Sequence, residues 1–172
     1  MSFKPSKVSI ETDGNESFYK IRYRDGGKST KIMFEIADAG IPFGIDFEYG
    51  QYYITVETDE IEYIHYIRKI EAGVCEVLNK RLIEDGVVAE PIEMSTSIRK
   101  ARKGSYWIKT KIPQYRDRFS ITCLDIHGSH QSPLELTSGD MANFILYIDY
   151  AWIKDNCIHF KWKIHRVELI DL

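Results

Sequence analysis

The strongest constraint on the fold is that one stretch of the 172 residues has helical periodicity, while most of the rest has the short alternating pattern of β-strands. Near residues 59–79, apolar residues recur every three or four positions from Ile61 to Leu78 and form one stripe. The predicted strands cover residues 18–24, 32–36, 51–57, 87–91, 93–99, 106–112, 119–125, 143–150 and 157–169. A turn at residues 25–27 predicts that the first two strands form a hairpin. The sequence therefore predicts a mainly β fold with one helix.

The order of these elements is three strands, a helix and then more strands. This order favours an OB-fold-like antiparallel barrel with additional strands, although other β-barrels and β-sandwiches fit the strand count nearly as well. We expect a single domain over residues 1–172. Residues 1–16 are predicted to be a peripheral segment with Val8 and Ile10 on an edge strand, and residues 17–172 are predicted to form the OB-like core.

The segment from residue 99 to residue 119, RKARKGSYWIKTKIPQYRDRF, is strongly basic. It holds eight cations and one acid, so it carries +7, and the remaining residues must carry −10 because the whole chain carries −3. Tyr106, Trp107, Tyr115 and Phe119 lie between the cations. Cations neutralise phosphates and flat rings stack on unpaired bases, so this pattern is typical of a surface that binds single-stranded nucleic acid. The alternative is a solvated charged face whose rings belong to the core.

Alternation within residues 106–112 assigns the side chains of this strand to two faces. One face carries Tyr106, Ile108, Thr110 and Ile112. The other face carries Trp107, Lys109 and Lys111, which places a ring beside two cations and makes it the best local candidate for a stacking platform. The same rule applied to the last strand predicts that Trp162 belongs to the core.

Composition limits the other function classes. The isoelectric point is about 6.0, so nucleic-acid binding would depend on where the charges lie and not on the net charge. The three cysteines, Cys75, Cys123 and Cys157, fit reduced thiols better than a disulfide framework. No apolar run is long enough to span a membrane and the first residues do not resemble a signal peptide, so an intracellular protein without a membrane partner is expected.

Metal and enzyme chemistry have weaker support. Cys123, His127 and His130 could bind zinc with His159 or Cys157, but their spacing is not a familiar structural pattern. The acids Asp125, Glu135, Asp140 and Asp149 could hold magnesium for a nuclease, although scattered carboxylates are expected by chance among 26 acids. We therefore predict no metal site, no cofactor and no enzymatic activity.

Several short motifs follow one another along the chain from about Lys20. They are Ile41-Pro42-Phe43-Gly44-Ile45, the strand 52–56, the helix 61–78, Pro91-Ile92, Lys109-Thr110-Lys111-Ile112-Pro113, Gly139-Asp140, Trp152-Ile153 and Phe160-Lys161-Trp162-Lys163. In this order they resemble the single-stranded-DNA-binding proteins of nucleo-cytoplasmic large DNA viruses, a family related to the replication proteins of podophages that bind single-stranded DNA.

The resemblance implies an oligonucleotide-binding fold that coats single-stranded DNA during viral replication or recombination, without catalysis and without a cofactor. Cations of the basic segment would contact phosphates, and Trp107, Tyr115 or Trp152 would stack on bases. The implied site consists of Arg99, Lys100, Arg102, Lys103, Trp107, Lys109, Lys111, Tyr115, Arg116, Arg118 and Trp152.

The implied partner is single-stranded DNA, and the resemblance leaves room for a homodimer and for contacts with replication proteins. The implied location is the viral replication site in the host cytoplasm or nucleus. An alternative hypothesis is a structural or adaptor protein, such as a minor virion component, that binds other proteins through the same basic and aromatic surface.

Overall fold

The computed structural model describes residues 2–12 and 18–171. Within them the chain is mainly β, with a large mixed sheet and one α-helix, as the sequence predicts. The helix α1 is Ile61–Glu84, and the strands are β1 Val8–Thr12, β2 Phe18–Asp25, β3 Lys28–Thr30, β4 Ile32–Gly40, β5 Ile45–Glu48, β6 Gln51–Thr58, β7 Glu93–Met94, β8 Ile98–Lys100, β9 Tyr106–Ile112, β10 Gln114–Tyr115, β11 Arg118–Phe119, β12 Thr122–Leu124, β13 Met141–Lys154 and β14 Cys157–Leu169. None of the helices in the described ranges is both long and apolar enough to cross a membrane.

The chain divides into two compact units, and each is described by itself. The first unit holds the described residues of 1–32 together with residues 62–97 and 148–161. The second unit holds residues 33–61 and 98–147 together with the described residues of 162–172. The long strands β13 and β14 each contribute residues to both units.

In the first unit, α1 buries one stripe of side chains, and its existence confirms the predicted helix. The stripe consists of Ile64, Ile67, Ile70, Val74, Leu78 and Leu82. The helix ends at Glu84, beyond the predicted end near residue 79, because Leu82 prolongs the stripe by one further turn. It stops where Gly86 adopts a φ of +70°, and the amide of Val87 then donates to the carbonyl of Leu82 at 2.9 Å. The amide of Gly86 also donates to the carbonyl of Ile83 at 3.1 Å. A glycine in the left-handed conformation with these two hydrogen bonds is a Schellman motif.

The N-terminal segment, which the sequence predicts to be peripheral, adds apolar side chains to the core of the first unit. Val8 and Ile10 are buried, and their strand β1 pairs with β2 in antiparallel fashion. Phe3 is buried against α1 at Gly73, where an added Cβ would lie 2.5 Å from a carbon of the Phe3 ring. The missing side chain at Gly73 therefore lets Phe3 pack directly on the helix.

Two polar side chains of α1 hold the segment that leads into β8. Glu71 is fully buried, and its carboxylate accepts hydrogen bonds from the Thr96 hydroxyl at 2.7 Å and the Ser97 amide at 3.1 Å. The Ile92 amide donates to Oδ1 of Asn79 at 2.8 Å, and Nδ2 of Asn79 donates to the Ile92 carbonyl at 2.9 Å. Buried polar groups with satisfied hydrogen bonds fix a backbone path, so residues 92–97 have one defined course.

Several local predictions are wrong. The strands predicted over residues 93–99 and 119–125 are each interrupted, at residues 95–97 and 120–121. Gly26 and Gly27 have φ values of +56° and +82° and form a two-residue turn, so β2 pairs through it with β3, whereas residues 32–36 belong to β4. A Gly-Gly pair readily adopts positive φ values, so β3 begins directly after the turn and pairs with β2. The strand predicted over residues 87–91 is also absent, because these residues follow the helix cap directly and Val87 is exposed.

In the second unit, β5, β6, β9 and β8 lie side by side as antiparallel neighbours. β14 runs parallel to β9 and to β12. One face of β6 and β9 is buried, and it carries Ile54, Val56, Ile108, Thr110 and Ile112. The opposite face carries Tyr53, Glu57, Trp107, Lys109 and Lys111, none of which is fully buried. The alternation predicted for β9 is confirmed, and Trp162 of β14 is buried as predicted.

Candidate nucleic-acid interface

The turn between β8 and β9 carries the first basic cluster. The amide of Ala101 donates to the carbonyl of Ser105 at 2.8 Å, and the amide of Gly104 donates to the carbonyl of Ala101 at 3.2 Å. Gly104 has a φ of +89°, which closes the turn. Ala101 points inward and is buried, so its neighbours along the chain face solvent.

The solvent-facing residues of this turn are four of the predicted site cations, Arg99, Lys100, Arg102 and Lys103. Within residues 2–12 and 18–171 none of the four forms a salt bridge. Three of them line a surface pocket of about 670 Å³, whose walls are Glu57, Lys100, Ala101, Arg102, Lys103 and Trp107. The structure therefore brings three predicted cations and one predicted ring to the same pocket.

The side chain of Trp107 has a fixed orientation in this pocket. Its indole N–H donates to Oε1 of Glu57 at 3.0 Å, and the Ser105 hydroxyl donates to the same oxygen. The ring of Phe43 meets the Trp107 ring edge-on, with centroids 4.8 Å apart and an interplanar angle of 81°. Across the sheet, Trp107 lies opposite Arg99 on β8 and opposite Glu57 on β6. These contacts hold the ring beside the cations.

Lys109, which the sequence places on the same face, already has an anionic partner. Its Nζ lies 2.6 Å from Oε1 of Glu48, and both side chains are 45% exposed. The same Nζ lies 5.0 Å from the centroid of the Tyr53 ring. A phosphate that bound Lys109 would therefore have to displace Glu48.

Lys111 extends this face toward β14. It lies opposite Tyr53 on β6 and beside Lys163 on β14. Lys111 and Lys163 are both half-buried. The sequence analysis did not include Lys163 in the site, because its place beside Lys111 depends on a pairing between strands that are distant in sequence.

The sequence analysis missed a group of exposed rings at the β5–β6 turn. Tyr49 and Gly50 have φ values of +51° and +75°, and Tyr49 is 99% exposed at the tip. The ring of Phe47 lies 4.7 Å from that of Tyr52, which lies 5.3 Å from that of Phe119. The glycine at position 50, between two alternating segments, is a turn signal that could have identified this hairpin.

Tyr115, Arg116 and Arg118 lie on a separate two-stranded ribbon formed by β10 and β11. Arg116 and Asp117 form its two-residue turn, with φ values of +48° and +62°. The guanidinium of Arg116 lies 5.2 Å from the centroid of the Tyr115 ring, and Tyr115 is exposed. Besides the pocket at Trp107, the ribbon is thus a second place where cations lie beside an aromatic ring.

Trp152 belongs to the first unit, whereas the other ten predicted site residues belong to the second. Its ring stacks on that of His159, with centroids 5.3 Å apart and an interplanar angle of 19°. Nζ of Lys161 lies 5.5 Å from the centroid of the Trp152 ring, and Phe18 lies opposite Trp152 on β2. Trp152 is therefore half-buried in a small aromatic cluster that includes a cation.

In the part of the chain that the structure describes, no three His, Cys, Asp or Glu residues are arranged to hold a metal ion. The thiol proposed as a zinc ligand, Cys123, is buried, and this burial raises its pKa. The cysteine and histidine side chains named for the zinc alternative are not grouped as a metal site within the described residues.

No protein-family model matches the chain, and no curated protein matches it either. The fold is shared with solved single-stranded-DNA-binding proteins of bacteriophages. The chain is similar to gp2.5, a single-stranded-DNA-binding protein encoded by bacteriophage T7, with a TM-score of 0.61 and 13% identity over 83% of this chain and 93% of that one. It is also similar to the single-stranded-DNA-binding protein of bacteriophage Enc34 in complex with single-stranded DNA, with a TM-score of 0.54 and 11% identity over 96% of both chains. At these identities the similarity establishes the fold.

Proposed function

We propose that this chain binds single-stranded DNA, with phosphates contacting the β8–β9 cations and a base stacking on Trp107. The observation that carries the proposal is the pocket in which Lys100, Arg102 and Lys103 lie beside Trp107. The phage proteins with this fold are single-stranded-DNA-binding proteins, which adds support. Stacking needs unpaired bases, so duplex DNA should bind more weakly.

Several finer statements are part of the same proposal. The protein would act in viral DNA replication or recombination, as a binding protein and not as an enzyme. It would belong to the single-stranded-DNA-binding proteins of nucleo-cytoplasmic large DNA viruses, act in the host cytoplasm or nucleus, and form one domain built on an OB-like barrel. Of the other predicted site residues, Lys109, Lys111, Arg116 and Arg118 would contact phosphates, and Tyr115 or Trp152 would stack on bases.

The test is a titration of a fluorescent oligo-dT of about 15 nucleotides, monitored by anisotropy at about 50 and about 200 mM salt. The variant Arg102→Ala/Lys103→Ala removes two cations from the pocket wall. Each phosphate contact to a single strand contributes about 0.7 to the salt slope, so the slope should fall by about 1.4 and the affinity should drop.

The matched control is Arg68→Ala/Lys69→Ala, which removes the same charge from exposed positions of α1. Alanine is a good helix former, so this control should fold and should bind oligo-dT with nearly the wild-type slope. Equal losses in both variants would mean that only overall charge matters. No binding by the wild-type protein would refute the proposed function.

The adaptor hypothesis is the second candidate, and exposed rings favour it. Phe47 is 62% exposed, Tyr115 is 66% exposed and Tyr49 is almost completely exposed, and aromatic side chains are enriched at protein interfaces. Gel filtration with and without oligonucleotide separates the two functions. An adaptor would elute unchanged in the presence of oligonucleotide, whereas a DNA-binding protein would comigrate with it.

A further inference from the structure

We infer that the pocket at the β8–β9 turn accepts one nucleobase and favours a base with an exocyclic amine, because Glu57 offers a carboxylate oxygen there. This inference rests on the proposed function, and it adds a base preference to binding that otherwise tolerates any sequence. Its starting point is that Glu57 lines a pocket whose other charged walls are cations, Lys100, Arg102 and Lys103. An acid lowers the affinity of such a pocket for phosphate, and holding Trp107 and Ser105 uses only one of its two oxygens.

The two oxygens of Glu57 are used differently. Oε1 accepts hydrogen bonds from the indole of Trp107 and the hydroxyl of Ser105. Oε2 accepts no hydrogen bond from the residues that the structure describes. Gly40 lies opposite Glu57 across β4 and β6, and a Cβ built there would come within 3.9 Å of Oε2. Gly40 itself adds no side chain beside Oε2, and the nearest atom to that Cβ position is Sδ of Met141 at 3.6 Å.

The geometry of the pocket fits a nucleotide. Oε1 holds the Trp107 ring in place, so a base stacked on that ring would have its edge near the same carboxylate. The sugar and phosphate of that nucleotide would extend toward Lys100, Arg102 and Lys103. One carboxylate therefore orients the stacking ring with one oxygen and has the other available for a base edge.

The chemistry of the base edges sets the preference. Cytosine carries an N4 amine that donates to a carboxylate, and this is a recognised pairing of acidic side chains with bases. Uracil carries a carbonyl oxygen at the same position, which would face Oε2 of Glu57 as a second acceptor. A hydrogen bond to a charged group contributes about 1.5 kcal/mol, a factor of roughly ten in affinity.

The experiment compares oligo-dC with oligo-dU, each of about 15 nucleotides, by competition against the fluorescent oligo-dT near neutral pH. The two competitors have the same length, charge and backbone, and both are pyrimidines, so the comparison isolates the base edge. The wild-type protein should bind oligo-dC about tenfold more tightly than oligo-dU. This comparison needs no variant, so it remains decisive even if a variant does not fold.

The variant Glu57→Gln tests whether the preference belongs to Glu57. Glutamine keeps an acceptor for Trp107 and Ser105 but presents an N–H donor where Oε2 was, so the preference for oligo-dC should vanish or reverse. A residue that only positions Trp107 would shift both affinities by the same factor. The control Glu48→Gln removes a carboxylate from the same unit outside the pocket wall, and it should leave the ratio of the two affinities unchanged.

Each outcome has a distinct meaning. Equal binding of oligo-dC and oligo-dU by the wild-type protein overturns the base preference and leaves the proposed function standing. A preference that survives in Glu57→Gln overturns the assignment to Glu57. Failure of every oligonucleotide to bind refutes the proposed function itself.

Discussion

Replacing Glu48 by glutamine should tighten the binding of single-stranded DNA. In the free protein the carboxylate of Glu48 lies 2.6 Å from Nζ of Lys109, where it occupies the position that a phosphate oxygen would take. The amide of glutamine has the same size and leaves the ammonium group available. The protein then no longer has to break an ion pair before Lys109 can bind DNA.

The size of the effect follows from the exposure of the pair. Both side chains are 45% exposed, and ion pairs of this kind contribute about 0.2–1 kcal/mol. A phosphate bound about 8 Å from Glu48 would also lose a repulsion of about 0.5 kcal/mol in a high-dielectric environment. Together these terms amount to about 1 kcal/mol, or roughly a fivefold lower Kd at low salt. The salt slope should rise by up to about 0.7, which corresponds to one more phosphate contact.

The assay is the anisotropy titration of oligo-dT over a series of salt concentrations. A suitable control is Glu84→Gln, since Glu84 also forms an exposed ion pair, with Lys80 at 4.0 Å on α1. In a Lys109→Ala background the effect of Glu48→Gln should shrink to the contribution of lost repulsion alone. If Glu48→Gln leaves both Kd and the slope unchanged while the protein unfolds at the same denaturant concentration, Lys109 does not contact phosphate.

Two further predictions concern the first unit. Gly73→Ala should lower the free energy of unfolding by about 1–2 kcal/mol, because overpacking against Phe3 and Pro5 outweighs the helix propensity of alanine. In a Phe3→Ala background only Pro5, 3.1 Å from the added Cβ, remains close, so the loss should become much smaller. An equal loss in both backgrounds would contradict the packing argument. If Trp152 stacks on DNA, Trp152→Ala should weaken oligo-dT binding by about 1–3 kcal/mol with an unchanged salt slope, and Trp152→Phe should recover much of the loss. A drop in urea stability without a change in Kd would assign Trp152, with His159 and Lys161, to the structure alone.

The strands that the sequence predicted well are those whose burial follows the alternation of residue types. β14 has the predicted bounds, since Ile158, Phe160, Trp162 and Ile164 alternate with polar residues and all are buried. Residues 87–91 lack such alternation, and the Schellman cap of α1 determines their course. A two-residue pattern around Val87 and Val88 carries too little information to compete with a helix cap.

The residues of the candidate site were proposed from the sequence, but the contacts that these side chains make could not be. The basic turn and the face of β9 follow from residues close in sequence. In contrast, Lys109 and Glu48 are 61 positions apart, and Trp107 and Glu57 are 50 positions apart. These pairs exist because of the register between β5, β6 and β9, and register depends on turn geometry and buried side chains across the whole sheet. No local pattern specifies them.

The acidic side chains that contact the basic segment make its positive charge uneven. A net charge of +7 suggests an even cationic surface, but Glu48 faces Lys109 and Glu57 faces Trp107. The cations without an ion pair within the described residues include those of the β8–β9 turn, a few residues from the fixed Trp107 ring. Long-range attraction of a phosphate backbone would therefore concentrate at this turn, because the two charges of an ion pair largely cancel at distances greater than their own separation. The sheet face, with its rings and paired charges, would act only after contact, when bases stack and a phosphate competes with Glu48 for Lys109.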